Sequence, residues 1–316
     1  MSAADPAGPV GAGAGVVVAG EALVDLVVAA DGALSAIPGG GPFNAARAMA
    51  RLGTTTSFLG ALSTDRFGRL LRACLVGDGV RLDHAVAVTQ PTTLALAEVD
   101  AVGTASYRFY LAGTSAALLD AAATAPVAAD PPAALHVGSL GLVLEPVADA
   151  LAALAVGLPS DVLVLVDANC RPAAIDDPAT YRSRLHRVLG RADVVKVSTE
   201  DLAYLLPEVA APDAAARLRH RDDQVVLVTD GPSPAQVVHA GGSFMVPVPA
   251  IRVVDTVGAG DTFGGAFLAW WLRTGLAPAD LRDADRLRLA TEYAVRAAAL
   301  TCTRAGAQPP TISELG

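Results

Sequence analysis

Short runs of aliphatic and β-branched residues alternate with longer Ala-rich stretches along most of the chain. The short runs predict buried strands, because they are apolar throughout and bounded by turn residues. The predicted strands are Val16 to Val18, Ala134 to Val137, Val162 to Val166, Val194 to Val197 and Val225 to Thr229. The longer stretches predict helices at Pro42 to Leu52, Asp65 to Asp78, Pro146 to Val156, Ala179 to Leu189, Pro212 to His220, Ala259 to Arg273 and Asp283 to Thr301. This alternation is typical of a three-layer α/β/α fold with a mainly parallel sheet.

One segment departs from this alternation. Thr92 to Val99 and Ser106 to Leu111 are two strand-like runs separated only by Asp100 to Thr104, which is a hairpin signal. With Leu23 to Ala29 and Ala33 to Ile37, this hairpin is expected to form a small β-sheet beside the main one. A plain surface hairpin is one interpretation. We favour a lid over a substrate, with segments at about 23–37 and 92–111, because long excursions from an α/β core often close active sites.

Composition sets the domain organisation. The chain has 316 residues, of which 53% are hydrophobic and 17% charged, so it can bury a large core. Residues 1–15 are almost entirely Ala, Gly, Pro and Ser, and we expect a disordered tail there. Residues 16–316 are expected to form one domain with the lid as an accessory part.

Charge and cysteine usage exclude several classes of partner. The net charge of -9 argues against nucleic-acid binding, which needs a basic surface to neutralise phosphates. Cys74, Cys170 and Cys302 are far apart and form no CxxC pair, so neither a zinc site nor a disulfide framework is indicated. No window has the ~20 consecutive apolar residues of a membrane helix. These features favour a cytoplasmic protein that acts on a small molecule.

The stretch from Val253 to Phe263 carries the clearest chemistry. Gly258, Ala259 and Gly260 form a turn of small residues that leads directly into a predicted helix. Unpaired amides and the helix dipole make such a turn an anion site. Asp261 follows it, where a carboxylate suits a general base for an attacking hydroxyl. The alternative is that Asp261 only caps the helix and that the glycines only form a tight turn.

The residues Asp255 to Phe263 read DTVGAGDTF and resemble the C-terminal signature of the ribokinase, or PfkB-type, carbohydrate kinases. The resemblance extends from Val16 onward and implies a ribokinase-like fold that uses ATP and Mg²⁺. It implies that Asp261 is the base and that the amides of Gly258, Ala259 and Gly260 form the anion hole. It also implies that Asp25, Gly40, Gly41 and Asn44 contact a sugar.

Further similarities follow in the expected order. Asp167 to Pro172 resembles the family's DPNxRP element, which implies that Asn169 binds the sugar and that Arg171 acts on the transferring phosphoryl group or a substrate oxygen. Ser198, Thr229 and Gly231 are expected to contact the nucleotide, although Pro234 replaces a usual glycine. Asp201 is the expected magnesium carboxylate and Glu200 its rival. Asp255, with the loop from Thr303 to Pro309, is expected to hold K⁺, or else only to close the turn.

Substrate identity rests on Tyr107 to Thr114, which looks most like the fructokinase branch and suggests that Arg108 and Tyr110 contact the sugar. Leu111 stands where 2-keto-3-deoxygluconate kinases often carry Arg, so fructose ranks first, that keto acid second, and ribose or a nucleoside third. A catalytically inactive sugar-binding regulator is the alternative from another class. A nicotinamide-dependent oxidoreductase is disfavoured, because the early glycines come too late for its fingerprint. A homodimer through the lid is also expected.

Overall fold

A computed structural model of the chain describes residues 15–28, 32–99 and 105–316. Apart from Gly15, the tail predicted over residues 1–15 lies outside the described residues, and so does the turn predicted at Asp100 to Thr104. No helix within these described ranges is long and apolar enough to cross a membrane.

The described elements are fourteen strands and ten α-helices. The strands are β1 (Val16–Ala19), β2 (Leu23–Val28), β3 (Leu34–Gly39), β4 (Thr56–Leu59), β5 (Ala61–Ser63), β6 (Val86–Val88), β7 (Leu94–Val99), β8 (Ala105–Tyr110), β9 (Ala134–Gly138), β10 (Leu163–Asp167), β11 (Val194–Ser198), β12 (Val225–Asp230), β13 (Ser233–His239) and β14 (Gly242–Val246). The helices are α1 (Gly41–Arg51), α2 (Arg66–Gly77), α3 (Ala121–Ala129), α4 (Val147–Gly157), α5 (Pro178–Arg191), α6 (Thr199–Leu205), α7 (Ala211–Leu218), α8 (Ala259–Arg273), α9 (Ala284–Cys302) and α10 (Ile312–Leu315).

The main sheet has eight strands in the order β14-β13-β12-β11-β10-β9-β1-β4. The six strands from β12 to β4 are parallel, and β13 and β14 are antiparallel at one edge. Alternate residues of each central strand face opposite layers. In β1, Val16 and Val18 belong to the core shared with α1, α8 and α9, whereas Val17 and Ala19 belong to the core shared with α4 and α5. The expected three-layer α/β/α fold is confirmed.

A second sheet, here called the small sheet, has the order β3-β2-β7-β8. It contains the runs predicted to leave the main domain. Its inner face, which carries Leu23, Asp25 and Phe109, covers the carboxyl edge of the main sheet. Its outer face includes Leu34 and Tyr110, which are 64% and 49% exposed. The strands β5 and β6 pair separately as a short parallel ladder.

Candidate active site

A cavity of about 550 Å³ lies between the carboxyl edge of the main sheet and the small sheet. Its polar lining residues are Glu21, Asp25, Asn44, Ser139, Asn169, Arg171, Lys196, Thr256 and Asp261. Its apolar roof, on the small sheet, consists of Leu23, Val27, Ile37, Ala97 and Phe109. Open α/β sheets bind their ligands at this edge, because loops that follow neighbouring parallel strands converge there.

Asp261 lies at the floor of the cavity, in the first turn of α8. Asn44 Nδ2 donates to Asp261 Oδ2 at 2.9 Å, and Asn169 Nδ2 donates to Asp261 Oδ1 at 3.4 Å. Burial raises the pKa of Asp261, while the Asn44 hydrogen bond and the charges of Lys196 and Arg171 oppose this rise. The carboxylate is therefore held in a defined orientation at the cavity surface, which suits a proton acceptor.

The turn before α8 presents unbonded amides. Gly258 has a φ of +75°, in the left-handed region that favours glycine, and a Cβ there would lie 2.5 Å from Ala307 Cβ. In the part of the chain that the structure describes, the amides of Gly258 and Gly260 have no hydrogen-bond partner. Because they lie at the positive end of a helix, they can receive a phosphoryl oxygen.

The amide of Ala259 differs from its neighbours. It donates to Thr256 O at 3.2 Å and so closes the turn itself. Because this donor is engaged within the turn, the part of Ala259 in the anion hole stays a prediction. The amides on either side of it, of Gly258 and Gly260, are unbonded.

Asp25 and Arg171, which were predicted from distant motifs, both line the cavity. The pKa of Asp25 is raised to about 6, mainly by burial and also by the charge of Asp261, while Arg171 opposes the rise. Arg171 Nη1 donates to Cys170 O at 3.1 Å, which fixes the guanidinium at the cavity wall. A carboxylate and a guanidinium thus face the same space as Asp261.

Gly40 and Gly41 also line the cavity, but a carboxylate absent from the predicted set engages one of them. Glu21 Oε1 accepts from the Gly41 amide at 3.1 Å, and Glu21 Oε2 accepts from the Gly141 amide at 3.0 Å. The Gly41 amide is thus engaged by Glu21, and the sugar contact expected of Gly41, which lines the cavity, stays a prediction. Burial raises the pKa of Glu21 to about 7. Its position directly after Gly20, at the end of the first strand, is the signal that would have identified it.

Lys196 on β11 is a second cavity residue without a predicted role. It is buried, and its Nζ lies 3.2 Å from Asp167 Oδ1. A Cβ on Gly260 would lie 2.9 Å from this Nζ, so the ammonium approaches the turn closely and leaves little room for a side chain there. The available signal was a lysine inside an otherwise apolar strand.

Arg108 and Tyr110 do not line the cavity. Side chains alternate between the two faces of a strand, and in β8 it is Phe109 that faces inward. Arg108 and Tyr110 are exposed on the outer face. The expectation that they contact a sugar bound in the same chain is wrong, because they alternate with Phe109 along the strand and so face away from the cavity.

Ser198, Thr229 and Gly231 lie further along the same edge, outside the cavity. Ser198 and Thr229 are register partners at the ends of β11 and β12, and Gly231 lies in the turn between β12 and β13. Ser198 Oγ accepts from the Asp201 amide at 3.0 Å and caps α6. The nucleotide contacts expected of these three residues stay a prediction.

The two candidate magnesium carboxylates differ in accessibility. Asp201 is buried, and its two oxygens accept from the amides of Cys170 and Ser198 at 2.7 and 2.8 Å. Glu200 is exposed. The first choice, Asp201, is thus engaged as a capping carboxylate, whereas Glu200 is open to solvent, and the magnesium role of either stays a prediction. Among the described residues, no group of three or more His, Cys, Asp or Glu is arranged to hold a metal ion.

Asp255 contacts the C-terminal loop, as the resemblance implied. Its Oδ2 accepts from the Gly306 amide at 2.8 Å, and its Oδ1 accepts from the Val257 amide at 3.0 Å. These bonds close the turn before α8 against the loop. They agree with the purely structural alternative, and the K⁺ site stays a prediction.

The fold and the cavity define a ribokinase-like α/β enzyme class. The chain belongs to the pfkB family of carbohydrate kinases, whose model matches residues 14–314. It is 32% identical to fructokinase-1 of Oryza sativa subsp. japonica over 307 residues, which is 94% of each chain. The chain is therefore a sugar kinase.

Two solved structures share the fold. Fructokinase from Xylella fastidiosa with bound ATP superposes with a TM-score of 0.86 at 28% identity and covers 95% of this chain and 96% of its own. Fructokinase from Vibrio cholerae O395, with fructose, ADP and calcium bound, gives a TM-score of 0.81 at 27% identity and covers 96% and 97%.

Proposed function

We propose that this carbohydrate kinase transfers the γ-phosphoryl group of ATP to a hydroxyl of fructose, with Asp261 as the general base. The observation that carries the proposal is the position of Asp261. Its carboxylate lies where the sugar-sized cavity meets the unbonded amides of Gly258 and Gly260. An acceptor hydroxyl and a phosphoryl group would therefore meet at one oriented carboxylate.

The residues divide the reaction between them. Asp261 accepts the proton of the sugar hydroxyl. The hydroxyl oxygen bonds to the γ-phosphorus at the same time, and the bond from that phosphorus to the ADP oxygen breaks. The amides of Gly258 and Gly260 stabilise the charge on the transferring group. Asp25 and Asn169 hold the remaining sugar hydroxyls, with Gly40 and Asn44 forming the adjoining wall.

ATP and Mg²⁺ fit the residues that are present. The unbonded amides can accept phosphate oxygens, and Ser198, Thr229 and Gly231 provide the rim beyond them. Bound Mg²⁺ would neutralise phosphate charge and keep part of its water shell, and the exposed carboxylate of Glu200 is the residue that we propose to order those waters. Arg171 supplies the remaining positive charge beside the transferring group.

The charges of the cavity favour a neutral sugar. Glu21, Asp25 and Asp261 are carboxylates, Arg171 is a cation, and Lys196 is already paired with Asp167. A substrate carboxylate would add another negative charge to this set. This ranks fructose above 2-keto-3-deoxygluconate, in agreement with the fructokinase relatives.

ADP release across fructose, 2-keto-3-deoxygluconate, ribose, glucose and adenosine tests the assignment. Fructose should give the highest kcat/KM. A lost hydroxyl contact costs roughly a factor of ten, so another sugar that exceeds fructose tenfold would overturn the proposal. If none of the five acceptors raises ADP release above the level without an acceptor, the result would instead favour the inactive sugar-binding regulator.

We also propose that two copies pair through the outer face of the small sheet. Register places Leu26, Leu34 and Leu96 on the same face as Tyr110, and Leu34 is 64% exposed. Leu26 packs partly against the main core, so Leu34 and Tyr110 are the exposed apolar side chains that a second copy of this face would cover. Sedimentation should show a dimer that Leu34→Asp dissociates. Leu289→Asp, at a 52% exposed leucine on α9, is the matched control.

A further inference from the structure

Lys196 is a cation in surroundings that disfavour it. The side chain is buried, and it lies against the first turn of α8, at the positive end of the helix dipole. A buried ammonium is costly unless it is paired. Asp167 supplies one ion pair, at 3.2 Å.

This single pair leaves part of the ammonium available. The ammonium has three N–H donors, and Asp167 is its one ion-pair partner among the described residues. It also lies beside Gly260, the residue directly before Asp261, since a Cβ built on that glycine would be 2.9 Å from the Nζ. The charge of Lys196 is also stabilised by the carboxylates of Asp201 and Asp261.

Several groups around Asp261 influence its charge. Asp25 on β2 and Asp167 on β10 repel its negative charge, whereas Arg171 and Lys196 attract it. The neutral amides of Asn44 on α1 and Asn169 after β10 donate to its oxygens. Without Lys196, only the Arg171 guanidinium and the Asn44 hydrogen bond would oppose the effects of burial and of the neighbouring carboxylates on Asp261.

We propose that Lys196 is a positioning residue of the phosphoryl transfer: its buried ammonium, paired with Asp167 and placed beside Gly260, holds Asp261 in the charged state that accepts the proton. The inference rests on the proposed role of Asp261. A nearby cation lowers the pKa of a carboxyl group, so Lys196 offsets the rise that burial imposes on Asp261. Asp167 pairs with the cation through its charge, and burial raises the pKa of Asp167 itself to about 7, so this carboxylate can become neutral if the cation is removed.

Two single variants that break the same ion pair separate this role from a structural one. Lys196→Met removes the cation, and Asp167→Asn removes only its partner. We measure kcat at saturating fructose across the acid and neutral range. The acid limb is the part of the kcat–pH profile in which kcat falls as the pH is lowered. In Lys196→Met this limb should move to higher pH by about one unit, with a roughly tenfold loss of kcat at a given pH on the limb. In Asp167→Asn the limb should not move upward, because the cation stays and a like charge is lost.

An unmoved acid limb in folded Lys196→Met, or equal upward shifts in both variants, would overturn the inference. If Lys196→Met fails to fold, the double variant Lys196→Met/Asp167→Asn is compared with Asp167→Asn, and the same upward shift is expected. Arg184→Met removes another buried, ion-paired cation, outside the cavity, and should leave the limb in place. Asp261→Asn is run in parallel. If Asp261→Asn retains turnover, the proposed function is contradicted. If Asp261→Asn is inactive but the acid limb of Lys196→Met does not move, only the role of Lys196 is contradicted.

Discussion

Replacing Asp261 by Asn removes the proposed proton acceptor and changes the shape of the side chain very little. Asn44 and Asn169 both donate to the carboxylate, so the new amide nitrogen would meet a donor on one side. Asn44 can relieve this by an amide flip, since its Oδ1 is buried without a hydrogen-bond partner and would then accept. We expect unfolding free energy to change by about 1 kcal/mol or less.

Turnover should fall much further than stability. General-base removal typically lowers the rate by about 10² to 10⁴, which is roughly 3 to 5 kcal/mol of transition-state stabilisation. Fructose should still bind, because Asp25 and Asn169 remain. The assay is coupled ADP release with fructose, beside calorimetric titration of fructose and a thermal melt.

The matched control is Asp283→Asn, which makes the same chemical change at the start of α9. The Asp283 side chain accepts from the amides of Asp285 and Arg286, away from the cavity. It should keep wild-type turnover. A folded Asp261→Asn variant that retains more than about a tenth of wild-type turnover would refute the general-base assignment, because that loss is under 1.4 kcal/mol.

Other consequences can be checked separately. Gly258→Ala should abolish most turnover, because its Cβ would meet Ala307 Cβ at 2.5 Å and φ is +75°, and near-normal kinetics would count against the turn as the anion site. The kcat/KM for sugar should fall as pH drops below about 6, where Asp25 becomes protonated, and a flat profile through that range would exclude this role. The small sheet should gain protection from hydrogen exchange when fructose and a nonhydrolysable ATP analogue bind together, and unchanged exchange would rule out a closing lid. If Asp255 helps to hold K⁺, activity should rise when K⁺ replaces Na⁺ at matched ionic strength; equal rates would exclude it.

Elements with a strong local signal follow the sequence closely. The helix predicted from Ala259 to Arg273 has those bounds, because a turn of small residues leads into a continuous apolar stretch. Asp65 marks the start of α2, where its side chain accepts from the Gly68 amide at 2.7 Å. Capping and patterning act locally, so both can be read from the chain.

Elements with a weak local signal were missed. The helix α3 is almost all alanine and contains Pro126, so it shows no polar-apolar period and carries an internal helix breaker. The antiparallel strands β13 and β14 contain polar residues and Pro234, and the apolar pattern did not predict them. The main sheet stabilises both strands through pairing that no local pattern reveals.

The candidate site divides along the same line. Asp25, Asn44, Asn169, Arg171 and Asp261 were found through motifs, and the structure brings them into one cavity. The pairing of Lys196 with Asp167 and the bonds from Glu21 to two distant amides depend on tertiary contacts. So does the inward orientation of Phe109, which depends on strand phase. Motif position predicts proximity, but not which donors remain free.

Transfer of labelled phosphate from γ-labelled ATP to fructose, measured with wild type and Asp261→Asn side by side, tests the central claim most directly. The wild type should form a labelled fructose phosphate, while the folded variant should form less than about a tenth as much in the same time. Label released only as inorganic phosphate, or equal transfer by both proteins, would contradict the account.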